Sequence, residues 1–274
     1  MDARSVEPGA AAEVRRDALK AVYREASDCT RCPLAETRNT VVFGAGDADA
    51  DLMFVGEAPG ANEDRMGLPF VGQAGRLLDR LLEEIGMQRS DVWICNVLKC
   101  RPPQNRDPHP HEIEACREYL VRQVELIEPR VICSLGNFAT KLLRTDPTGI
   151  TKLHGRAETR AIGSQSFRLF PIYHPAAALY TPSMLEVLRG DFALLPALLA
   201  QDPPSPPAPV EPESELADVE PESELADVEP ESAAVEPEPE PPAPEPHAPE
   251  PPAPEPQTPV VSSGADSASQ LGLF

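Results

Sequence analysis

The chain has 274 residues and a formal net charge of −21 at pH 7, and this charge is unevenly distributed. Residues 1–200 carry 27 acidic and 24 basic side chains, whereas residues 201–274 carry 18 acidic side chains, no Lys or Arg, and 20 of the 34 prolines. Such a tail buries too little apolar surface to offset its ordering entropy, so we expect residues 201–269 to be disordered. No stretch approaches the roughly 18 apolar residues of a membrane span, and Met1–Arg4 begins no apolar signal segment, so we expect a cytoplasmic protein without membrane association.

Residues 1–200 show strands alternating with helices. After a predicted N-terminal helix around Ala11–Ala26, four apolar runs predict buried strands: Leu52–Gly56, Val92–Asn96, Val131–Leu135 and Arg168–Tyr173. Each of the first three precedes a helical pattern of apolar residues, and a last helix is predicted over Met184–Leu199, interrupted near Pro196. This order implies right-handed βαβ units. We therefore predict a three-layer α/β/α domain with a central four-stranded parallel sheet.

The loop after the first predicted strand is the most informative motif. It begins with Gly56–Gly60, contains Glu63 and Asp64, and continues through the glycine-rich segment Gly67–Gly75. In open α/β sheets ligands bind at the carboxyl ends of strands, so this loop is expected to line a site. The second predicted strand ends in Asn96, and the fourth leads into His174. Because the carboxyl ends of parallel strands meet at one edge of the sheet, we expect both residues to lie near this loop.

Each of these residues alone has an ordinary explanation. An Asn after a strand is usually a turn residue, a His before Pro is usually a loop residue, and a Phe after Pro, such as Phe70, is usually part of the core. Their joint placement at one edge of one sheet favours a functional site. Asn96 and His174 in particular are side chains that a mere scaffold would not need.

Two motifs resemble those of the family 4 (iron–sulfur) uracil-DNA glycosylases. They are G-E-A-P-G-x-x-E-D-x-x-G-x-P-F-V-G-x-A-G from Gly56 and H-P-A-A-A-L from His174. The resemblance covers roughly residues 25–200 and implies a uracil-DNA glycosylase-like fold. It also implies a DNA-repair enzyme that flips uracil out of single- or double-stranded DNA, hydrolyses its N-glycosidic bond and leaves an abasic site. By the same resemblance the uracil pocket is lined by Glu57, Ala58, Glu63, Phe70, Asn96 and His174.

The chemistry of uracil release suits these residue types. Phe70 offers an aromatic face for the base, and the Asn96 amide can both donate and accept, as uracil O4 and N3–H require and as cytosine does not. A donor such as His174 stabilises the negative charge that develops on uracil O2. Glu57 and Glu63 are both candidates for positioning the water, because Ala58 stands where family 1 enzymes carry an Asp for that task. The resemblance also assigns Glu63 to the space of the thymine methyl group.

Six cysteines without a secretion signal are expected to be thiols or metal ligands. Cys29 and Cys32 form a C-x-x-C motif, and Cys100 and Cys116 follow later in the chain. Four thiolates suit either a [4Fe–4S] cluster or structural zinc, and the spacing resembles the family's cluster ligands. Cys95 and Cys133 lie inside predicted strands and are expected to be buried as small apolar residues.

Loops at the predicted active edge carry basic residues although the domain is not basic overall. We predict Lys99, Arg101 and Arg106 as phosphate contacts, and Leu179 or Tyr180 as the apolar wedge that fills the gap left by a flipped base. The expected protein is a monomer. Two alternatives stay open: a glycosylase with specificity for other deaminated bases, and a non-enzymatic iron–sulfur module tethered to the replication machinery.

The tail carries a nine-residue repeat that begins at Val210 and recurs from Val219. It ends in the apolar pentapeptide of residues 270–274, which resembles the bacterial sliding-clamp-binding motif Q-L-x-L-F. In that resemblance Gln270 makes polar contacts, while Leu271, Leu273 and Phe274 fill an apolar pocket on the clamp. We expect the tail to act as a tether that holds the enzyme near newly copied DNA.

Overall fold

The computed structural model describes residues 8–204, with side chains from residue 12 onward. Most of the predicted disordered tail and the predicted clamp-binding residues 270–274 lie outside this described part. Within it, no helix has the length and apolarity needed to cross a membrane.

The described residues contain nine α-helices and six β-strands. The helices are α1 (Pro8–Ser27), α2 (Leu34–Thr37), α3 (Ala61–Met66), α4 (Gln73–Glu84), α5 (Pro110–Ile127), α6 (Gly136–Arg144), α7 (Ala176–Tyr180), α8 (Met184–Phe192) and α9 (Leu195–Leu199). The strands are β1 (Ala45–Gly46), β2 (Leu52–Gly56), β3 (Trp93–Asn96), β4 (Val131–Leu135), β5 (Glu158–Ile162) and β6 (Gln165–Ile172).

The strands form one mixed sheet in the order β1-β3-β2-β4-β6-β5. The four inner strands pair in parallel, while β1 and β5 pair antiparallel with their neighbours. The predicted four-stranded parallel sheet is therefore wrong in its strand number, because two edge strands extend it. Both are hard to recognise in sequence: β1 has two residues, and none of the side chains of β5 is fully buried.

Helices cover both faces of the sheet, and successive residues of β2 show this division. Met53 and Val55 belong to a core shared with α1, α5 and α6, whereas Leu52 and Phe54 pack in a second core against α4, α8 and α9. All five residues of β2 are buried. A strand covered on both faces has a continuous apolar sequence, because its alternating side chains enter two different cores.

The helices on the second face follow the pattern of apolar residues and proline in their sequences. In α4 the stripe formed by Leu77, Leu78, Leu81 and Leu82 is buried. The predicted interruption near Pro196 is observed as a break between α8 and α9, with Pro196 in the first turn of α9. Proline is tolerated there because an N-terminal N–H has no partner within the helix.

Candidate active site

Three strands of the parallel core end at one cavity. Glu57 directly follows β2, Asn96 is the last residue of β3, and His174 lies two residues beyond β6. These residues line a cavity of about 430 Å³ together with Glu63 and Phe70. The other lining residues are Ala58, Pro59, Gly60, Ala74, Pro102, Asn105, Arg106 and Ala176. The structure thus brings together all six residues predicted for the uracil pocket.

Gly56, the last residue of β2, lets two pocket side chains approach each other. A Cβ atom at this position would lie 2.4 Å from Oδ1 of Asn96 and 2.8 Å from Cζ of Phe70. Real Cβ atoms do not come this close to other heavy atoms. Glycine is therefore required here because any side chain would collide with Asn96 and Phe70. The first glycine of the motif is needed for the packing of the cavity and not for the conformation of the loop.

Phe70 and His174 form one wall of the cavity. Their ring centroids are 5.5 Å apart, and the ring planes are inclined by 26°, which is a stacked arrangement. Such a pair offers a flat surface against which a planar base can pack. Phe70 adopts a backbone φ of 52°, in the left-handed region that is unusual for an aromatic residue.

His174 is neutral over the physiological pH range. Burial lowers its pKa to about 4, and the negative charge of Glu63 offsets this only in part. Its Nδ1 atom accepts a hydrogen bond from the backbone N–H of Ala176 at 3.1 Å. A neutral imidazole carries one ring proton, so this contact assigns the proton to Nε2. His174 can therefore act as a neutral Nε2–H donor in the cavity.

The Asn96 side chain is 2% exposed, yet among the described residues its amide has no hydrogen-bond partner. Both its donor and its acceptor are therefore available to a bound molecule. A ligand that fills the cavity removes this amide from water, so a ligand that satisfies both groups binds better than one that leaves either group unpaired.

Lys99 is the residue for which the sequence prediction is wrong. It was expected to contact DNA phosphates, but it is 1% exposed, and its ammonium donates to the Asn96 carbonyl at 2.7 Å and to Oε1 of Gln123 at 2.5 Å. Gln123 in turn donates to the carbonyl of Phe43 at 2.9 Å. The lysine therefore holds the end of β3 against α5 and cannot reach a phosphate.

The two pocket carboxylates are in different environments. Oε1 of Glu63 accepts hydrogen bonds from the backbone N–H groups of Val71 and Gly72, each at 3.0 Å. Within the described part of the chain, the carboxylate of Glu57 accepts no hydrogen bond. Burial raises the pKa of Glu57, and the negative charge of Asp107 raises it further. Glu63 is thus committed to a structural contact, whereas Glu57 is free to bind water.

The basic loop after β3 is partly engaged in internal contacts. Arg106 forms a two-bond ion pair with Glu112, at 2.9 and 2.5 Å, and Glu112 is fully buried at the start of α5. Arg101 donates to Oδ1 of Asn105 at 2.8 Å and is half-buried. Arg106 and Asn105 both line the cavity, so the loop forms its rim.

A second cavity of about 400 Å³ adjoins the first and shares Glu57 and His174 with it. Its other lining residues are Asp107, Leu135, Gly136, Asn137, Phe138 and Lys141. Sequence reasoning missed this region because it considered the carboxyl ends of the other three parallel strands but not that of β4. Gly136 and Asn137 directly after a buried strand, followed by Lys141, were the signal that could have identified it.

Two candidate wedge residues lie at the end of α7. Tyr180 is 86% exposed and Leu179 is 39% exposed. Large apolar side chains in such exposed positions contribute little to the core. The short helix α7, which carries both residues, begins two residues after His174. Both residues are therefore close in sequence to the wall of the cavity.

Of the four cysteines of the predicted cluster set, Cys100 and Cys116 are buried, whereas Cys29 and Cys32 are partly buried and pack against the same core. Burial raises the pKa of the Cys100 thiol to about 11, with Cys116 and Cys32 acting in the same direction; burial also raises that of Cys116, with Cys32 and Cys29 contributing. Within residues 8–204, no group of three or more His, Cys, Asp or Glu side chains is arranged to hold a metal ion. Cys95 and Cys133 are fully buried in β3 and β4, as predicted.

Comparison with known proteins agrees with this site. The family model of the Uracil DNA glycosylase superfamily matches residues 43–193, which include every residue of the first cavity. The type-4 uracil-DNA glycosylase of Archaeoglobus fulgidus is 44% identical over 193 residues, which is 69% of this chain and 97% of that protein. That of Saccharolobus solfataricus is 45% identical over 192 residues, covering 68% of this chain and 89% of the relative. The chain therefore belongs to the type-4 uracil-DNA glycosylases of the uracil-DNA glycosylase superfamily.

Proposed function

We propose that the chain is a DNA-repair enzyme that releases uracil from DNA by hydrolysis of the N-glycosidic bond, leaving an abasic site. The observation that carries this conclusion is the single cavity in which Glu57, Phe70, Asn96 and His174 meet. A uracil inside a duplex is out of reach, so the base must be flipped into this cavity. Related type-4 uracil-DNA glycosylases at 44–45% identity support the activity.

Recognition of the base depends on Phe70 and Asn96. The base stacks on the Phe70 ring, while the Asn96 amide accepts from uracil N3–H and donates to O4. Cytosine presents an acceptor at N3 and a donor at N4, so both contacts become unfavourable with that base. Because Asn96 is buried and has no partner among the described side chains, a mismatched base leaves its amide unsatisfied. This cost is the basis of discrimination.

Bond cleavage depends on His174 and Glu57. The electron pair of the N-glycosidic bond moves into the uracil ring, and the Nε2–H of neutral His174 donates to the resulting negative charge on O2. Glu57 holds the water that captures the sugar cation and takes up its proton. We assign this role to Glu57 rather than Glu63, since Oε1 of Glu63 already accepts from two backbone N–H groups, whereas the Glu57 carboxylate accepts from none of the described residues.

We infer that Cys29, Cys32, Cys100 and Cys116 hold a [4Fe–4S] cluster. The spacing of the four cysteines supports this proposal, and two of the sulfur atoms already accept hydrogen bonds: Lys99 N–H donates to Sγ of Cys116 at 3.2 Å, and Arg38 donates to Sγ of Cys100 at 3.5 Å. Cluster ligands each bind a different iron and stand farther apart than thiolates around one zinc ion. When bound, the cluster ties the N-terminal segment to the loop after β3.

DNA contacts extend beyond the flipped base. We propose Arg106, which lines the cavity, and Arg101, in the same loop, as phosphate contacts. We propose Tyr180, with Leu179 beside it, as the wedge that enters the base stack. Replacing Tyr180 with Ala is expected to slow release from duplex DNA more than from single-stranded DNA, because only the duplex needs the gap filled. Equal slowing on both substrates would contradict the wedge.

The clamp-binding proposal rests on the sequence of residues 270–274, which lie outside the described residues. We propose that Gln270, Leu271, Leu273 and Phe274 bind the replicative sliding clamp of bacteria. A peptide covering Ser267–Phe274 should bind purified clamp in calorimetry, and a peptide with Leu273→Ala and Phe274→Ala should not. Undetectable binding by the full-length protein at tens of micromolar would contradict this proposal.

A panel of oligonucleotides tests the proposed activity. Single- and double-stranded DNA bearing one uracil, hypoxanthine or mismatched thymine is incubated with the enzyme, and strand scission by alkali reports each abasic site. We expect rapid scission at uracil in both contexts and little at the other bases. Preferential scission at hypoxanthine or thymine would support shifted specificity, and no scission at all would support a non-enzymatic iron–sulfur module.

A further inference from the structure

The backbone conformation of Phe70 is unfavourable unless contacts with other residues stabilise it. Its φ of 52° lies in the left-handed region, which is unfavourable for residues other than glycine, asparagine and aspartate. This conformation directs the ring to within 5.5 Å of the His174 ring, measured between centroids. A strained residue keeps such a conformation only when surrounding contacts maintain it. Two charged side chains, Arg89 and Glu63, supply such contacts to residues 69–72, which we name the Phe70 loop.

The carbonyl groups at the start of the Phe70 loop are bound by one guanidinium group. Arg89 donates from Nη1 to the carbonyl oxygen of Phe70 at 3.1 Å and from Nη2 to that of Pro69. The Phe70 carbonyl also lies against Gly75, where a Cβ atom would be only 1.7 Å from the oxygen. The peptide unit after Phe70 is thus fixed by a cation on one side and by a helix backbone on the other.

The N–H groups at the end of the same loop are bound by a carboxylate. Oε1 of Glu63 accepts from both Val71 and Gly72 at 3.0 Å. The cation of Arg89 therefore binds the carbonyl groups of the Phe70 loop, and the anion of Glu63 binds its N–H groups. Glu63 lines the cavity, whereas Arg89 does not.

Arg89 is itself oriented by an ion pair. Its Nη1 lies 3.1 Å from Oδ1 of Asp79 on α4, and its side chain is 30% exposed. Arg89 does not line the cavity, but two of its hydrogen bonds are to the Phe70 loop, which does. We propose that Arg89 is a positioning residue that keeps Phe70 in its left-handed conformation and so maintains the stacking wall for the flipped base. The proposal rests on the proposed function, since it assigns Phe70 to base stacking.

The geometry requires an arginine in particular. A guanidinium group presents several N–H donors in a rigid plane and can bond two consecutive carbonyls while also pairing with Asp79. An ammonium group is a single flexible centre and cannot reproduce this arrangement. Lysine at position 89 is therefore expected to restore only part of the function.

The test compares Arg89→Met with Arg189→Met as a matched control. Arg189 is also a surface arginine in ion pairs, with Glu84 at 2.9 Å and Glu186 at 2.8 Å, but it touches neither the cavity nor the Phe70 loop. We expect Arg89→Met to lower the maximal single-turnover rate of uracil release at least tenfold, with half-saturating DNA concentration changed less than twofold. Arg89→Lys should recover part of the rate, and Arg189→Met should match the wild type.

A double-mutant cycle identifies the route of the effect. If Arg89 acts through Phe70, Arg89→Met should slow a Phe70→Ala enzyme by less than twofold. Independent, multiplying losses would overturn the proposal, as would a rate for Arg89→Met equal to that of Arg189→Met.

Hydrogen exchange supplies a readout that does not need activity. The amides of Val71 and Gly72 should exchange faster in Arg89→Met but not in Arg189→Met, because the loop opens when its carbonyls are released. If the wild-type protein released no uracil, the proposed function would be wrong. The exchange rates would still show whether Arg89 stabilises the Phe70 loop. Unchanged exchange in Arg89→Met would overturn the proposal in either case.

Discussion

Replacement of His174 by Ala removes the Nε2–H donor from a preorganised position. The donor needs no reorientation during the reaction, because the Ala176 N–H already fixes the ring through Nδ1 at 3.1 Å. Removing one such donor from a water-poor site typically costs about 3 kcal/mol, or a factor of roughly 100 to 1,000 in rate. The loss of the stacked partner of Phe70 acts in the same direction. We therefore expect single-turnover release to slow at least a hundredfold, with DNA binding little changed.

The pH dependence of the single-turnover rate distinguishes a neutral His174 donor from a positively charged one. With a pKa of about 4, His174 is protonated in only about 1% of molecules at pH 6. The rate lost on replacing His174 by Ala should therefore be the same at pH 5.5, 6.5 and 7.5 in single-turnover assays on a uracil oligonucleotide. His174→Gln, which keeps an N–H donor, should retain more activity than His174→Ala. Equal rates for wild type and His174→Ala, or a wild-type inflection near pH 6.5 that the substitution removes, would refute this reasoning.

Four further substitutions test the roles assigned to other residues. Glu57→Gln should lower the rate at pH 7 by about tenfold or more and remove the acid limb of the pH–rate profile, since wild-type activity rises as pH increases through the raised pKa of Glu57; an unchanged limb would exclude Glu57. Cys116→Ser should lose iron, about four atoms per chain, together with thermal stability, as iron analysis and melting curves would show; one zinc per chain in the wild type would contradict the cluster. Lys99→Met leaves two buried acceptors unpaired, so unfolding free energy should fall by about 2–5 kcal/mol in denaturant titrations. Its DNA affinity should stay unchanged, whereas Arg101→Ala should weaken DNA binding.

The parallel core of the sheet could be predicted because its strands are long apolar runs. Leu52–Gly56 and Val131–Leu135 have the predicted bounds, since every residue in both strands is buried. The edge strands could not be predicted in the same way. In β5, Glu158–Ile162, intermediate and exposed positions alternate, and the strand pairs only with its hairpin neighbour β6. An edge strand with one partner and no fully buried face leaves a weak pattern in sequence.

Glu57, Asn96 and His174 could be predicted because each lies at or just beyond the end of a strand and carries a distinctive side chain. The residues that support them could not. The sequence predicts Lys99 as a phosphate contact because it is a basic residue on a loop at the active edge, whereas its burial depends on the distant Gln123 on α5. Arg89 reaches Phe70 across nineteen positions of sequence, which no local pattern reveals. Sequence motifs thus identify the groups that face the substrate, while the contacts that position them depend on the tertiary fold.

The most direct test of the account is the base selectivity of Asn96. Wild-type enzyme and Asn96→Asp are compared for release of uracil and of cytosine from otherwise identical oligonucleotides under single-turnover conditions. The amide is the only pocket group assigned to read N3 and position 4 of the base, and an aspartate at this position can accept from cytosine N4–H₂. The account predicts that the wild type releases uracil alone and that Asn96→Asp loses uracil release strongly while its ratio of cytosine to uracil release rises. Retention of wild-type uracil release and selectivity in Asn96→Asp would contradict it.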